Sequence, residues 1–297
     1  YTAMAYEILC RAINDGVKFI FAIPGLYALD VNLKHGYQAV DFVSEWTRLI
    51  NFPQALILTI RSFPKYFGGL WAYYQGRSLT SDQTKFLFHV YRSFFFIASF
   101  LTSPNLSWPG RLSPHMEKAI FHPISHFGDH YNDLWDKLSK NTHIGLCKHA
   151  NYLNWRFFSS PSNHYHAYEM QIDKNLVGFF VLKNEGVRCE IAELLILPEY
   201  PNAADSLLWT ALSLARKNKK VSLHIWAKDK LPLKDNLRRA GFVSPSKLHK
   251  LANQWQGLAN KLYQVIFYTD HLSPNQQMIL SPKLKAWQPS KGDSDLL

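Results

Sequence analysis

At 297 residues the chain has room for two domains of ordinary size, and 47% hydrophobic residues, with 20 Phe, 15 Tyr and 9 Trp, exclude general disorder. Cys10, Cys147 and Cys189 lie far apart, with no CxxC pair and no even-numbered framework, which argues against a cysteine-based metal site and points to a reducing, cytoplasmic compartment. The net charge of +11 is unevenly spread, with eleven Lys or Arg between residues 216 and 250 against Asp229 and Asp235. Such a run suits nucleic acid, an anionic membrane or a phosphorylated small molecule, and equally an ordinary solvated face.

YTAMAYEILCRAIND places Tyr1, Met4, Ala5, Ile8, Leu9, Ala12 and Ile13 on one helical face. The pattern is already under way at Tyr1, with no basic segment and apolar stretch before it, so no signal peptide is read and the chain is expected to be a fragment. Asp15-Gly16 ends the helix, VKFIFAI reads as a buried strand, and Pro24-Gly25 turns the chain. Residues 27–35 return as a short helix closed by Gly36, and YQAVDFV alternates as a second strand.

Residues 49–124 read as a helical, aromatic-rich connector. KFLFHVYRSFFFIASFL is interrupted by Lys85, His89 and Arg92, and its apolar part falls short of the roughly 20 residues a membrane span needs. A buried helix fits it, with a peripheral membrane contact as the alternative. Residues 103–114, with three prolines and Gly110, form a linker. His122, His126 and His130 raise a metal reading, but Pro123 and Gly128 break the helix that would align them and no HExxH accompanies them, so no metal is expected.

FGDHYNDLWDKLSK and NYLNWRFF look helical, and HYHAYEMQI, NLVGFFVLK and CEIAELLILP follow as three strands. DSLLWTALSLARKNK is an amphipathic helix with Asp205 as its expected N-cap, VSLHIWA a strand, LPLKDNLRRA a short helix, and Gly241-Phe242 the next stop and start. VNLKHGYQ and DNLRRAGF thus write one helix-stop-strand punctuation twice, about two hundred residues apart. A period that long means two copies of one domain rather than a solenoid. VKFIFAI is expected beside YQAVDFV, and VSLHIWA beside the strand near KLYQVIFYT.

This order resembles the GNAT acyltransferase superfamily, and more closely its two-copy members found with bacterial polysaccharide and cell-envelope synthesis genes. Segments like IFAIPGLYALDVNLKHGYQ, and like NYLNWRFFSSPSNHYHAYEM followed by LVGFFVLK, carry the resemblance over residues 1–48 and roughly 125–270. It implies an α/β (α+β) chain of tandem GNAT-like acyl-CoA N-acyltransferase folds with mixed, mostly antiparallel central sheets. Residues 1–48 would be the closing half of a first, incomplete copy, 49–124 the connector, 125–272 a second copy and 273–297 a tail. The implied co-substrate is acetyl-CoA or another acyl-CoA, and the implied acceptor an amine on a small molecule or glycan precursor.

CoA's pyrophosphate needs main-chain N–H groups at a helix N-terminus. In the second copy the corresponding loop is LILPEYPNAADSLL, where Pro201 lacks an N–H and Asp205 adds a negative charge, so that copy is expected to have lost CoA. In the first copy, Tyr1, Thr2 and Ala3 would sit beside the donor, with Pro24 and Gly25 at the following turn. Many superfamily members place a general-acid tyrosine four residues before the closing glycine; here Asn32 and Leu237 stand there, leaving Tyr27 as the candidate phenol. Tyr152, Trp155 and Arg156 are the candidate acceptor contacts, a ring and a fixed bidentate donor for an anion or sugar. The competing reading of the last two is a core ring and an internal salt bridge. A Fem-type transferase using charged tRNA, and a non-catalytic binding protein, are the alternative functions; nucleic acid enters only in the former.

Overall fold

Gly36 and Gly241, the two stops of the repeated punctuation, adopt left-handed φ values of +88° and +76°. Around each, two backbone bonds close the preceding helix. Gly36 N–H donates to Leu33 O and Tyr37 N–H to Asn32 O, as Gly241 N–H donates to Arg238 O and Phe242 N–H to Leu237 O. That pattern satisfies the last carbonyls of a helix and needs a residue tolerant of positive φ. The longer helices upstream also end alike, with Gly16 at +72° in one and Lys219 at +53° in the other. A lysine in the second position hides this part of the repeat from the sequence.

The computed structural model describes residues 2–24, 26–51, 54, 119–140, 146–159, 164–200, 202–228, 233–243, 261–269, 273–275 and 277. In chain order these give α1 (Thr2–Asn14), β1 (Phe19–Ala22), α2 (Leu26–Lys34), β2 (Gln38–Leu49), β3 (Ala119–Ile124) and α3 (His130–Ser139). There follow α4 (Ala150–Leu153), continuing into a π-helical turn (Asn154–Phe158), then β4 (Tyr165–Ile172), β5 (Asn175–Glu185) and β6 (Arg188–Ile196). The series ends with α5 (Ala203–Lys217), β7 (Ser222–Ala227), α6 (Leu233–Arg239) and β8 (Lys261–Tyr268). The aromatic segment at 85–101, the linker at 103–114, Tyr1, Gly25 and Pro201 lie outside the described residues, as do the side chains of Thr2, Ala3 and Tyr27. The expected helical connector is corrected at its end: residues 119–124 form β3, paired antiparallel with β4.

The eight strands of the described residues join one sheet in the order β1-β8-β2-β7-β6-β5-β4-β3. Only β6 and β7 run parallel; every other neighbouring pair is antiparallel. This corrects the expected pairing. VKFIFAI does not lie beside YQAVDFV, because β8 stands between them, and VSLHIWA does not lie beside β8, because β2 stands between those two. Each half gives its last strand to the other. The physical reason is equivalence: β2 and β8 follow similar capped helices and both pair antiparallel with the strand before such a helix, so either can fill either slot.

The caps secure the exchange. A Cβ on Gly241 would stand 2.0 Å from Arg48 Nη1, and one on Gly36 3.3 Å from the Phe267 ring, so each cap glycine sits against the strand received from the other half. Arg48 donates to Gly241 O at 3.1 Å, Thr47 and Val243 form an isolated bridge, and Tyr37 and Phe267 approach ring to ring at 5.5 Å. Gly241→Ala is therefore expected to lose about 2 kcal/mol through positive φ together with displacement of Arg48. Gly16→Ala, where a Cβ meets nothing within 4 Å, should lose only the backbone part. Urea unfolding of the two variants measures the difference.

Two layers cover the sheet. On one face α5 and α6 pack Ala203, Leu207, Leu208, Ala211, Leu212, Ala215 and Leu237 against Phe180, Leu182, Ile191, Leu223, Ile225 and Trp46. The alanines let α5 approach closely, and each leucine buried there contributes about 1.5–3 kcal/mol. On the other face Phe127, just before α3, joins Tyr131, Leu134, Leu153 and Phe157 of α3, α4 and the π turn against Ala167, Phe179, Val181 and Ala192.

Candidate functional site

The parallel pair β6·β7 is in register only from Arg188↔Ser222 to Ile191↔Ile225, although β6 continues to Ile196. Beyond Ile191 the two strands part. The parting coincides with a bulge in β6, where the register against β5 jumps from Val181↔Glu193 to Leu182↔Ile191 and leaves Ala192 extra. A bulge bends its strand and re-aims the side chains beside it. The sequence carried a trace of this: along β6 the carboxylates stand at 190 and 193, three apart where strict alternation would set an even spacing.

Both carboxylates are buried, Glu190 at 1% and Glu193 at 2% exposure. Glu193 accepts from the Lys148 ammonium at 2.5 Å and from the Leu194 N–H at 3.1 Å. On the other side of the parting, Lys228 follows β7 and pairs with Asp41 at 3.2 Å, beside the irregularity in the β2·β8 register. Burial pushes the Lys228 amine below its ordinary pKa, and Asp41 opposes that by attraction and hydrogen bonding. Two lysine-carboxylate pairs thus flank the gap between β6 and β7.

Nearer the start of the parallel pair, one face of the sheet carries a polar row. Tyr165, Lys183, Glu190, His224 and Thr47 are successive register partners across five strands, and all are buried. His224 meets Ser222 Oγ at 2.8 Å through Nε2 and Thr47 Oγ1 at 3.1 Å through Nδ1. Arg188 joins the halves, donating to Glu45 at 2.8 Å and standing 3.5 Å from Glu190. Glu45 and Thr47 come from β2, so this row exists only because of the strand exchange. Sequence reasoning missed it entirely, since alternation within one strand says nothing about which strands will be neighbours.

Of the sequence-derived acceptor residues, Tyr152 falls on α4 and Trp155 and Arg156 on the π turn. Its i→i+5 bond, from Ser159 N–H to Asn154 O at 3.0 Å, widens the helix. The Asn154 side chain locks the turn by accepting from Phe127 N–H at 2.8 Å and donating to Phe127 O at 2.9 Å. Trp155 is 64% exposed and lies 5.9 Å from the Tyr152 ring, which overturns the core reading of Trp155. Arg156 is half-buried and acts electrostatically on Tyr165, whose hydroxyl burial otherwise pushes up. The structure brings Tyr152, Trp155 and Arg156 together on one short segment. Pro24 is buried at the end of the β1 segment, and Thr2 and Ala3 begin α1.

At the start of α5, Asp205 is not the N-cap. Asn202 occupies that position without a side-chain cap bond, and Asp205 lies inside the helix. Its carboxylate turns to α6, where Arg239 binds both oxygens at 3.0–3.2 Å and Asn236 donates at 2.9 Å. The negative charge expected to repel a pyrophosphate is therefore held by a guanidinium. The same contact draws on the basic run: Arg239 serves Asp205, Arg238 lies 3.8 Å from Asp235, and Lys220 donates to Gly186 O at 2.7 Å.

The three histidines do not converge. His122 sits on β3 opposite Glu169, His126 lies 3.4 Å from Asn154, and His130 lies 3.7 Å from Glu169. Glu169 is mainly engaged by the Tyr131 hydroxyl, which donates to it at 2.6 Å. Among the described residues no group of three His, Cys, Asp or Glu could hold a metal ion, and no helix is long and apolar enough to cross a membrane. All three cysteines are free; Cys147 is exposed, and burial pushes the Cys189 thiol up to about 12.

No protein-family model matches the chain, and no curated protein matches it. Among solved structures, a probable N-acyltransferase from Enterococcus faecalis is 13% identical with a TM-score of 0.50, over 91% of this chain and 50% of that one. A GCN5-related N-acetyltransferase from Anabaena variabilis is 9% identical with a TM-score of 0.49, over 89% and 49%. A tandem GNAT protein from the clavulanic acid biosynthesis pathway is 18% identical over 34% of each chain, with a TM-score of 0.30. This chain spans about half the length of the Enterococcus and Anabaena proteins. The fold is a mixed α/β fold of the GNAT acyltransferase kind, with a predominantly antiparallel sheet.

Proposed function

We propose that the chain belongs to an acyltransferase that moves an acetyl or other acyl group from acyl-CoA to an amine, with a small-molecule or glycan-precursor acceptor and a cytoplasmic location. The observation that carries this reading is the parting of β6 from β7 at the Ala192 bulge, with the N-terminus of α5 following β6 and buried carboxylates beside the gap. In this reading the gap in the second half receives the acceptor amine. Glu193 and Glu190 supply carboxylates from which a general base for an ammonium acceptor would be drawn. The bond to the acyl carbon would form from the neutral amine as the thiolate leaves.

The donor is assigned to the first half, with its pyrophosphate at the start of α1 near Tyr1, Thr2 and Ala3 and the Pro24-Gly25 turn alongside; Tyr27 is the phenol proposed to protonate the thiolate. The second half is assigned to the acceptor through Tyr152, Trp155 and Arg156. In support, the first amide of α5 is already spent, Ala203 N–H donating to Tyr200 O at 2.9 Å. An isolated second half is no test, because β2 lies between β7 and β8 and would be lost with the first.

Calorimetric titration of acetyl-CoA into the full chain and two variants tests the assignment. Thr2→Glu, placing a carboxylate at the α1 N-terminus, should weaken binding about tenfold or more, whereas Asn202→Glu at α5 should leave it nearly unchanged. Loss of binding with Asn202→Glu alone moves the donor to the second half. No binding by the unaltered chain favours the non-catalytic alternative.

A further inference from the structure

Two donors on the polar row have nothing to donate to. The Tyr165 hydroxyl is wholly buried with no hydrogen-bond partner, on a side chain only 7% exposed. Lys183, its direct partner in register on β5 and also 7% exposed, makes no hydrogen bond or ion pair with any described residue. Direct cross-strand partners on one face hold their Cβ atoms about 5 Å apart, so the phenol and the lysine stem stand side by side. A third buried donor, Arg188 Nε on β6, is likewise without a partner.

Burying a hydroxyl unanswered is costly, and a folded chain keeps such a group where something else answers it. The carboxylates nearby are already engaged. Glu45 and Glu190 share Arg188, while Glu190 and Glu185 act on the Tyr165 hydroxyl in the sense opposite to Arg156. The π turn closes the other side, since Phe157 packs on the Tyr165 ring at 5.1 Å and the neighbouring Arg156 acts on the Tyr165 hydroxyl. The group that completes this place is an anion with several acceptor oxygens.

We propose that Tyr165, Lys183 and Arg156 form a pocket for the anionic group, carboxylate or phosphate, of the acceptor molecule. The word acceptor rests on the acyl-transfer reading; the pocket itself does not. It deepens that reading by giving the acceptor a negative charge near the gap where the acyl group would be delivered. Trp155, exposed on that turn, and the half-buried Tyr152 beside it on α4 would cover the rest of the molecule.

The test needs no acyl donor. The full chain is labelled with 13Cζ-tyrosine, the Tyr165 resonance is identified with Tyr165→Phe, and sodium succinate and sodium phosphate are titrated separately at constant ionic strength set with chloride. A saturable shift of the Tyr165 signal with either anion is expected, and which of the two produces it assigns carboxylate or phosphate. Lys183→Met should raise the Kd about tenfold or more, whereas Lys217→Met on the exposed end of α5 should not. If Lys183→Met does not fold, calorimetry on Tyr165→Phe replaces it, with a several-fold rise in Kd expected from loss of the hydroxyl alone. The proposal is overturned if neither anion gives a saturable shift, or if the tested variant binds as tightly as the parent. Anion binding without acetyl-CoA binding would leave the pocket standing and sink acyl transfer.

Discussion

Val265→Asp is expected to unfold both halves of the molecule in one transition. Val265 is 1% exposed on β8 and lies between two strands of the other half, opposite Ala22 on β1 and Ala39 on β2. A carboxylate at so buried a position costs about 3–5 kcal/mol, as an uncompensated buried charge does, a large share of a typical domain's stability. The cooperativity is the sharper part. Because among the described strands β1 pairs only with β8 and β2 pairs with both β8 and β7, damage to β8 removes strands from both halves. Calorimetric unfolding should show a single transition moved down by well over ten degrees. Two transitions, with only the later one moved, would mean that the halves fold independently and that the strand exchange is wrong.

Glu193→Ala should be nearly as damaging, by a different mechanism. It leaves the Lys148 ammonium, whose side chain is 5% exposed, without its carboxylate. Removing one member of a buried ion pair costs about 3–5 kcal/mol, while replacing both by apolar groups of similar volume is often neutral. The double variant Lys148→Met, Glu193→Leu should therefore recover most of the stability lost by Glu193→Ala. If Glu193 also takes the acceptor's proton, the double variant will be folded and inactive, which separates the structural role from the chemical one. Urea unfolding beside an acyl-transfer assay reads the two effects independently.

Much of the local structure was legible because it rests on spacing along the chain. Helices α1, α3 and α5 followed from apolar residues at helical intervals, and β4, β5 and β6 from extended apolar runs parted by Asp173-Lys174 and Asn184-Glu185-Gly186. The caps at Gly36 and Gly241 followed from residue type, since glycine reaches positive φ without strain. The equivalent cap at Lys219 was illegible for the converse reason, a lysine holding φ +53° where sequence reading looks for glycine. Asp205 was misread because an acid just before a helical pattern usually caps it, whereas here α6 brings Arg239 and Asn236 within reach from some thirty residues away.

What the sequence determined by itself was most of the described elements, though not β3, and the repetition of the helix-strand-helix-strand order. Each depends on interactions between residues a few positions apart, and these survive in the pattern of a single chain. What only the tertiary structure decided was which strand lies beside which. β2 and β8 present similar edges to similar partners, so no local signal distinguishes pairing within a half from pairing across halves. That choice places Glu45 and Thr47 beside Arg188 and His224, and it extends the polar row that begins at Tyr165 and Lys183 into the other half. Only long-range backbone hydrogen bonding, with loop closure over some two hundred residues, sets that arrangement.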